Sequence, residues 1–203
     1  MAVSVNCPSC GVLIEDASAH TRSMSCPHCS NWVYFGSNGW ESAGLFKHAI
    51  DAPSMLRLGK SGSLENRRFT VSGRVRLSYS DGFWDEWWLE FEDADNQWLE
   101  EDDGVYRLHE NISVDTGQQQ LKDAGVGSNI SIAGDDWFVT ERIDAQVAGV
   151  EGSLPVAIFP GEQVVCIDVM GKGTKMSIEA SGQDVQVSRS SVVRGSKFAW
   201  EKA

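Results

Sequence analysis

Apolar and polar residues alternate with a period of two along most of the chain after Pro53. In the clearest stretch, 69–79, apolar residues and one glycine occupy the odd positions, and serine, threonine and arginine occupy the even positions. This alternation is typical of β-strands with one buried face. The turn signal Ser80-Asp81-Gly82 separates this stretch from a second alternating one, 87–92. Because signals for helices are weak throughout, the pattern predicts an all-β protein built from antiparallel hairpins.

A second group of predicted strands lies beyond residue 120, and its pattern resembles that of the first group. Strands are expected at 143–147, 156–159, 164–169, 175–179 and 185–187. At a constant offset of 68 residues, Gly59 corresponds to Gly127 and Phe69 corresponds to Trp137. Such self-similarity indicates an internal repeat. The sequence therefore predicts two related antiparallel β-sheet or barrel-like units, at 55–110 and 121–200.

Two Cys-x2-Cys motifs lie near the N-terminus, with 15 residues between them. Four thiolates at this spacing suit tetrahedral zinc, and four sulfur ligands leave no open position for catalysis. A disulfide would need an oxidising compartment, and the absence of a signal-peptide pattern argues against one. A redox-active motif would normally open a helix, whereas the prolines inside both motifs fit a ribbon better. We predict a small zinc ribbon over 1–36, followed by a linker over 37–54. Its structural Zn²⁺ is expected to be bound by Cys7, Cys10, Cys26 and Cys29.

The charge of the chain excludes several classes of function. The 203 residues include 17 Lys and Arg against 29 Asp and Glu, which gives a formal net charge of -12. Such an acidic surface repels phosphate backbones, so general nucleic-acid binding is not expected. No apolar run approaches the ~18–20 residues of a membrane span, and the first residues lack a signal-peptide pattern. We therefore expect a cytoplasmic protein without direct membrane insertion.

The most unusual segment is 81–103, which holds 11 carboxylates, no Lys or Arg, and four of the eight tryptophans. One interpretation is that the carboxylates solvate an exposed sheet face while Trp87 and Trp98 pack inward. The alternative is that other indoles point outward beside carboxylates, which suits a cationic, partly apolar partner. The residues of this predicted partner-binding surface are Trp84, Asp85, Glu86, Trp88 and Glu90.

Catalytic motifs are not evident, and no histidine stands in a spacing typical of a catalytic triad or a metal site. Gly171-Lys172-Gly173-Thr174 lacks the first half of a phosphate-binding loop and predicts a hairpin turn. Asp85-Glu86 or Glu100-Glu101 could supply a carboxylate pair for acid/base chemistry, although solvated carboxylates are the commoner case. Cys166 is flanked by β-branched residues and is expected to be a buried small hydrophobe. The sequence thus favours a protein that is not an enzyme, without deciding the question.

Several short segments, all in the same order, carry a resemblance to a known family. They are Leu58-Gly59, the run from Arg68 to Arg74, the run from Trp84 to Leu89, Trp98-Leu99-Glu100, Gly127, and the loop from Glu151 to Glu162. On these segments, residues 55–200 resemble the mainly bacterial family catalogued as domain of unknown function 4178. The resemblance implies no assigned activity. It does imply that members with an N-terminal zinc ribbon occur, and that neighbouring genes encode membrane-stress proteins of the phage-shock and band-seven type or polyamine-synthase-like enzymes.

Two functions of different classes follow from these observations. The first is a non-enzymatic adaptor, in which a zinc ribbon joined to β modules binds a protein partner in a bacterial envelope-stress system. A membrane-stress protein with a basic segment would suit the acidic, tryptophan-rich surface. The second is a sensor of a polyamine or other cationic small molecule, or an accessory to an amine-metabolising enzyme. The sequence favours the first, because it offers a candidate surface and no catalytic constellation.

Overall fold

The chain is almost entirely β-strand, as the period-two pattern predicts. A computed structural model describes residues 2–46, 52–93, 95–114, 118–182 and 184–201. Within these ranges the strands alternate with tight turns, and one short α-helix, α1 (Gln118–Lys122), is present. No helix in the described part of the chain is long and apolar enough to cross a membrane.

The N-terminal segment contributes five strands. They are β1 (Ala2–Asn6), β2 (Leu13–Ser18), β3 (Ser23–Ser25), β4 (Asn31–Gly36) and β5 (Gly39–Leu45). β1 pairs with β2, and β3, β4 and β5 form consecutive antiparallel pairs. The predicted linker at 37–54 is therefore partly a strand, because β5 adds to the edge of β4. Residues 47–51 of that stretch lie outside the described residues.

The remainder of the chain contributes the other strands. The first group is β6 (Ser61–Leu64), β7 (Arg67–Tyr79), β8 (Gly82–Phe91), β9 (Gln97–Asp102) and β10 (Val105–Asn111). The second group, which follows α1, is β11 (Asn129–Ile132), β12 (Asp135–Leu154), β13 (Gln163–Gly171), β14 (Thr174–Ser181), β15 (Asp184–Val193) and β16 (Phe198–Trp200). Residues 156–159, which were predicted to form a strand, lie between β12 and β13 and are irregular in the structure.

Eight of these strands close into one antiparallel barrel. Around the barrel the order is β7, β8, β9, β10, β15, β14, β13 and β12, and β12 pairs with β7 to close the ring. Each four-stranded half, β7–β10 or β12–β15, would by itself expose two unpaired edges. The edges of the two halves instead pair with each other. The two predicted units therefore share a single barrel, and the predicted all-β, barrel-like architecture behind a small N-terminal sheet is confirmed.

The offset of 68 residues seen in the sequence recurs in the backbone hydrogen bonds. The Gly59 N–H donates to the Val71 carbonyl at 2.8 Å, and the Gly127 N–H donates to the Val139 carbonyl at 2.9 Å. Both glycines have positive φ angles, 72° and 86°, which favour glycine. The hairpins β6–β7 and β11–β12 thus occupy equivalent places before each half of the barrel. That the halves are repeats of one ancestral unit stays a prediction.

Large apolar clusters lie on the outside of the barrel wall. Outside the first half, Phe69, Leu89 and Phe91 pack against Leu64 and Phe198 of the short strands β6 and β16. Outside the second half, a similar cluster forms beneath α1 and β11. Since side chains alternate between the two faces of a strand, the other residues of each strand line the barrel interior. An eight-stranded barrel has an interior wide enough for side chains or for one small ligand.

The N-terminal segment packs against one end of the barrel. Strand β3 pairs with the end of β12, and Trp32, 1% exposed, packs in a cluster with apolar residues of the barrel interior. The Trp32 indole N–H donates to the Ile158 carbonyl at 2.9 Å, and the Ser23 hydroxyl donates to the Val156 carbonyl at 2.6 Å. The loop 156–159 is irregular, and two of its carbonyls accept these hydrogen bonds from N-terminal side chains. It forms one rim of the barrel opening.

Candidate functional site

The predicted cysteine site is assembled in the structure. The four Sγ atoms all lie within 4.8 Å of one another, so they could hold one metal ion. The Asn31 amide donates to the Cys29 Sγ at 3.3 Å, and hydrogen bonds from Asn31 lower the pKa of Cys29 to about 6. A lowered pKa favours the thiolate, which is the form of cysteine that binds metals, whereas burial raises the pKa of Cys26 in the same cluster. The cysteines brought together are Cys7, Cys10, Cys26 and Cys29.

The two cysteine motifs have the same local backbone geometry. The Gly11 N–H donates to the Cys7 carbonyl at 2.8 Å, and the Ser30 N–H donates to the Cys26 carbonyl at 2.9 Å. Each motif therefore closes a tight turn between two strands, β1 and β2 in one case and β3 and β4 in the other. This is the arrangement that the sequence predicts for a ribbon holding an ion between two knuckles.

The predicted partner-binding residues do not form an exposed surface. Trp84 and Trp88 are each 8% exposed, Asp85 is 3% exposed and Glu86 is 9% exposed, while Glu90 is partly buried. The prediction assumed an open sheet with one solvated face. Strand β8 is instead covered on both faces, by the barrel interior on one side and by an apolar cluster on the other. The expectation of outward-pointing indoles is therefore wrong.

Asp85 and Glu86 point to opposite sides of β8 and have different roles. The Asp85 carboxylate accepts hydrogen bonds from Arg74 at 2.6 Å and from Arg76 at 2.7 and 2.8 Å. The three side chains are buried, and the Arg74 guanidinium lies 4.8 Å from the centre of the Trp87 ring. This network joins β7 to β8 within the wall of the barrel, so the role of these charges is structural.

The barrel interior contains two cavities, of about 310 and 140 Å³, that are lined with carboxylates as well as apolar groups. Glu86 and Glu179 line both cavities and therefore lie between them. Arg107 and Lys175 are cationic residues of the smaller cavity. The carboxylates that line the smaller cavity are Glu86, Glu100, Asp102, Glu141, Asp168 and Glu179.

The cationic side chains of the smaller cavity already have carboxylate partners. Arg107 lies 2.5 Å from one oxygen of Glu100, and His109 lies 3.2 Å from the other. Lys175 lies 2.5 Å from Asp168. Burial acts to raise the pKa of Glu100, but the hydrogen bond with His109 and the charge of Arg107 outweigh it and lower that pKa. Glu100 and Asp168 are therefore neutralised by the protein itself.

Glu86 and Glu179 form no ion pair with any of the described residues. The Trp84 indole N–H donates to Glu86 at 3.0 Å. Burial, and then repulsion from Glu179, raise the pKa of Glu86 well above its ordinary value. Burial, and then the charge of Glu100, raise the pKa of Glu179 to about 7. Both carboxyl groups therefore keep their protons to a higher pH than an ordinary glutamate does.

Aromatic side chains complete the walls of the interior. Tyr79 and Trp84 line the smaller cavity, and Trp98 lines the larger one. Indoles beside carboxylates suit organic cations, through cation–π and charge-assisted contacts. The sequence predicts this chemistry for residues 84–90, but on the outer surface. The structure places Trp84 and Glu86 inside the barrel.

Glu179 and the role of Glu100 in the barrel interior are absent from the predictions made on the sequence. The available signal is alternation in β14, where polar residues at 175, 177 and 179 alternate with apolar residues at 176, 178 and 180. The alternation shows that the polar residues share a face. It does not show that barrel closure encloses this face. Because polar residues are mostly exposed in proteins, the sequence favours a face that meets solvent.

We expect Glu179→Gln to raise the free energy of unfolding of the metal-loaded, ligand-free protein more at pH 8 than at pH 5. The difference between the two pH values should be on the order of 2 kcal/mol. A carboxyl whose pKa is raised in the folded state keeps a proton that the unfolded chain releases, so stability falls as the pH rises between these pKa values. Urea unfolding of both proteins at pH 5 and pH 8 measures the difference. Glu110→Gln, on the exposed side of β10, is the control. Equal pH dependence in wild type and Glu179→Gln would contradict the raised pKa of Glu179.

The comparisons with known proteins concern the barrel. The family model described as "Domain of unknown function (DUF4178)" matches residues 57–195, a range that includes the eight barrel strands and excludes the cysteine cluster. No curated protein and no solved structure matches the chain. Since the match covers more than half of the chain, this protein belongs to the DUF4178 family.

Proposed function

We propose that the barrel binds a small organic cation in its interior. The observation that carries the proposal is the pair Glu86 and Glu179, which lines both cavities without a cationic partner among the described residues. Buried carboxylates are costly unless they are neutralised by a proton, a metal or a cation. An ammonium or guanidinium group of a ligand would supply the missing charge.

The surroundings of the pair support an organic cation over a metal ion. Across the residues that the structure describes, the group of side chains arranged to hold a metal is the cysteine cluster, and the barrel carboxylates form no such group. The larger cavity has apolar walls from Val75, Leu77 and Val164, which suit hydrocarbon. Trp98 adds an aromatic face. An amine with an alkyl portion fits both kinds of wall.

Calorimetry with an organic cation tests the proposal. Spermidine is expected to bind the metal-loaded wild-type protein at pH 8 and low salt, and Glu179→Gln or Glu86→Gln is expected to weaken binding at least about tenfold. Binding should also weaken below about pH 7, because the cation must then displace the proton that Glu179, with its raised pKa, retains. Glu110→Gln is the matched control and should bind normally. Absence of heat with spermidine, agmatine and putrescine at millimolar concentration would contradict the proposal.

We also propose that the cysteine cluster holds a structural Zn²⁺. Four thiolates are the donor set of structural zinc sites, and they leave no coordination position for a substrate. The ion would tie the β1–β2 turn to the β3–β4 turn beside the barrel opening. Native mass spectrometry of the purified protein is expected to show one zinc per chain, and Cys26→Ser is expected to lose it.

The adaptor hypothesis stays a prediction, and the surface predicted for it is not exposed. Its proposed contact residues, Trp84 and Trp88 among them, are buried, so a protein partner would have to use another part of the molecule. Its support is the genomic context that the family resemblance implies. Affinity purification of the wild-type protein from its host is the test, and recovery of a membrane-stress protein would favour the adaptor role.

A further inference from the structure

We infer that the ligand is a linear diamine or polyamine, held at two levels of the barrel. This inference rests on the proposed function and specifies its ligand class. The inner level is the pair Glu86 and Glu179, between the two cavities. The outer level is the pair Glu162 and Asp184, which lines the same larger cavity.

The two levels are separated along the strands by a short, defined distance. Glu179 and Ser181 are successive residues on the same face of β14, and Ser181 pairs with Asp184 across the β14–β15 turn. Two residues of a β-strand span roughly 7 Å. At about 1.3 Å per bond along an extended chain, this separation corresponds to about four or five methylene groups between two nitrogens.

The cavity that both levels line also has apolar walls. Val75, Leu77, Val164 and Ile158 line the larger cavity together with the carboxylates. A polymethylene chain gains free energy by leaving water for such a wall, whereas a compact cation such as ammonium would leave the wall uncovered. Carboxylates at two levels and apolar walls in the same cavity are complementary to a molecule with charged ends and a hydrocarbon centre.

The charges at the outer level determine how well a second ammonium group of the ligand is bound. Glu162 is engaged, because one of its oxygens accepts the Phe159 N–H at 3.1 Å and the other contacts the Ser181 hydroxyl. Asp184 is exposed at the opening, and Arg22 lines the same cavity and brings one positive charge to it. Asp184 is thus the carboxylate best placed to receive a second ammonium group. Arg22 opposes that group.

The charges of Asp184 and Arg22 predict opposite effects of two variants on the affinity for a diamine. Asp184→Asn is expected to remove most of the advantage of a second ammonium group, because the outer level loses its accessible negative charge. Arg22→Gln is expected to increase the affinity for a diamine severalfold, because a repelling charge is removed. Neither change should alter the affinity for a monoamine of the same length, because a monoamine occupies the inner level alone.

A chain-length series tests the inference on the metal-loaded protein at pH 8. The probes are n-butylamine and straight α,ω-diamines with three to eight methylene groups, measured by calorimetry. We expect an optimum near 1,4-diaminobutane or 1,5-diaminopentane, with affinity at least about tenfold above that for n-butylamine. Asp184→Asn should bring the diamine to the affinity of the monoamine, while Glu179→Gln should weaken both.

The outcomes separate the inference from the proposal on which it rests. If n-butylamine binds as tightly as the diamines, or if Asp184→Asn weakens both ligands equally, the two-level ligand is wrong and the cation site at Glu86 and Glu179 stands. If no amine binds, the cation site itself is wrong and the inference falls with it. A far-ultraviolet circular dichroism spectrum that matches wild type shows that each variant is folded.

Discussion

Removal of metal from the cysteine cluster, by Cys26→Ser or by a strong chelator, is expected to unfold residues 2–36 and to leave the barrel folded. The N-terminal segment has a small apolar cluster, in which Val5, Ile14, Met24 and Val33 are the buried non-cysteine members. A core of that size rarely supplies more than ~3–5 kcal/mol, so metal binding and folding should be coupled. The barrel is closed by its own strand pairs and packs against separate apolar clusters.

Hydrogen exchange followed by mass spectrometry measures this effect. Amides of β1 to β4 are expected to lose protection when the metal is removed, while amides of β7 to β15 keep it. Cys166→Ser is the matched control, since it makes the same substitution at a partly buried cysteine of the barrel that is outside the cluster. Persistent protection of residues 2–36 without metal, or the presence of iron or a disulfide there, would contradict the zinc-ribbon interpretation.

The structure extends this prediction to the barrel opening. The Arg22 N–H donates to the Leu154 carbonyl at 2.8 Å, and Trp32 and Ser23 hold the loop 156–159 through its carbonyls. Loss of the N-terminal fold removes these bonds from one rim of the larger cavity. Peptides covering 154–159 are therefore expected to exchange faster in the metal-free protein, although the ring of barrel strands stays protected.

Asp85→Asn is expected to lower the free energy of unfolding by about 3–5 kcal/mol, the range for breaking a buried ion pair. The Asp85 carboxylate is shared by the guanidinium groups of Arg74 and Arg76, and all three side chains are buried. The substitution keeps the size of the side chain but removes the charge that both arginines face. The cost is large because charged groups in a buried site cannot be rehydrated without opening the wall between β7 and β8.

Urea unfolding of the metal-loaded protein measures the difference, with Glu92→Gln as the control. Glu92 lies 3.4 Å from Arg68, and both side chains are more than half exposed, so the loss of that pair should cost no more than about 1 kcal/mol. Equal, small effects of Asp85→Asn and Glu92→Gln would show that the Asp85 network does not stabilise the barrel.

The cysteine site and the strand pattern were readable from the sequence because both depend on local chemistry. Cysteines that come in pairs with two residues between them, as at Cys26 and Cys29, can be recognised without knowledge of the rest of the fold. The alternation of residues 69–79 likewise identifies a strand, because successive side chains of a strand point to opposite faces. The offset that relates Gly59 to Gly127 was also present in the sequence, and it corresponds to matching hydrogen bonds.

Only the tertiary structure decided which faces are enclosed and which distant residues meet. Alternation along β8 shows that Trp84 and Glu86 share a face. The same alternation is expected whether that face meets solvent or lines a closed barrel, so the sequence does not distinguish the two. The pairing of β7 with β12 and of β10 with β15 closes the ring, which turns an expected outer surface into an interior and brings Glu179 to Glu86. The sequence by itself determined most of the barrel strands and the cysteine cluster, whereas barrel closure, a long-range property, decided where the charges lie.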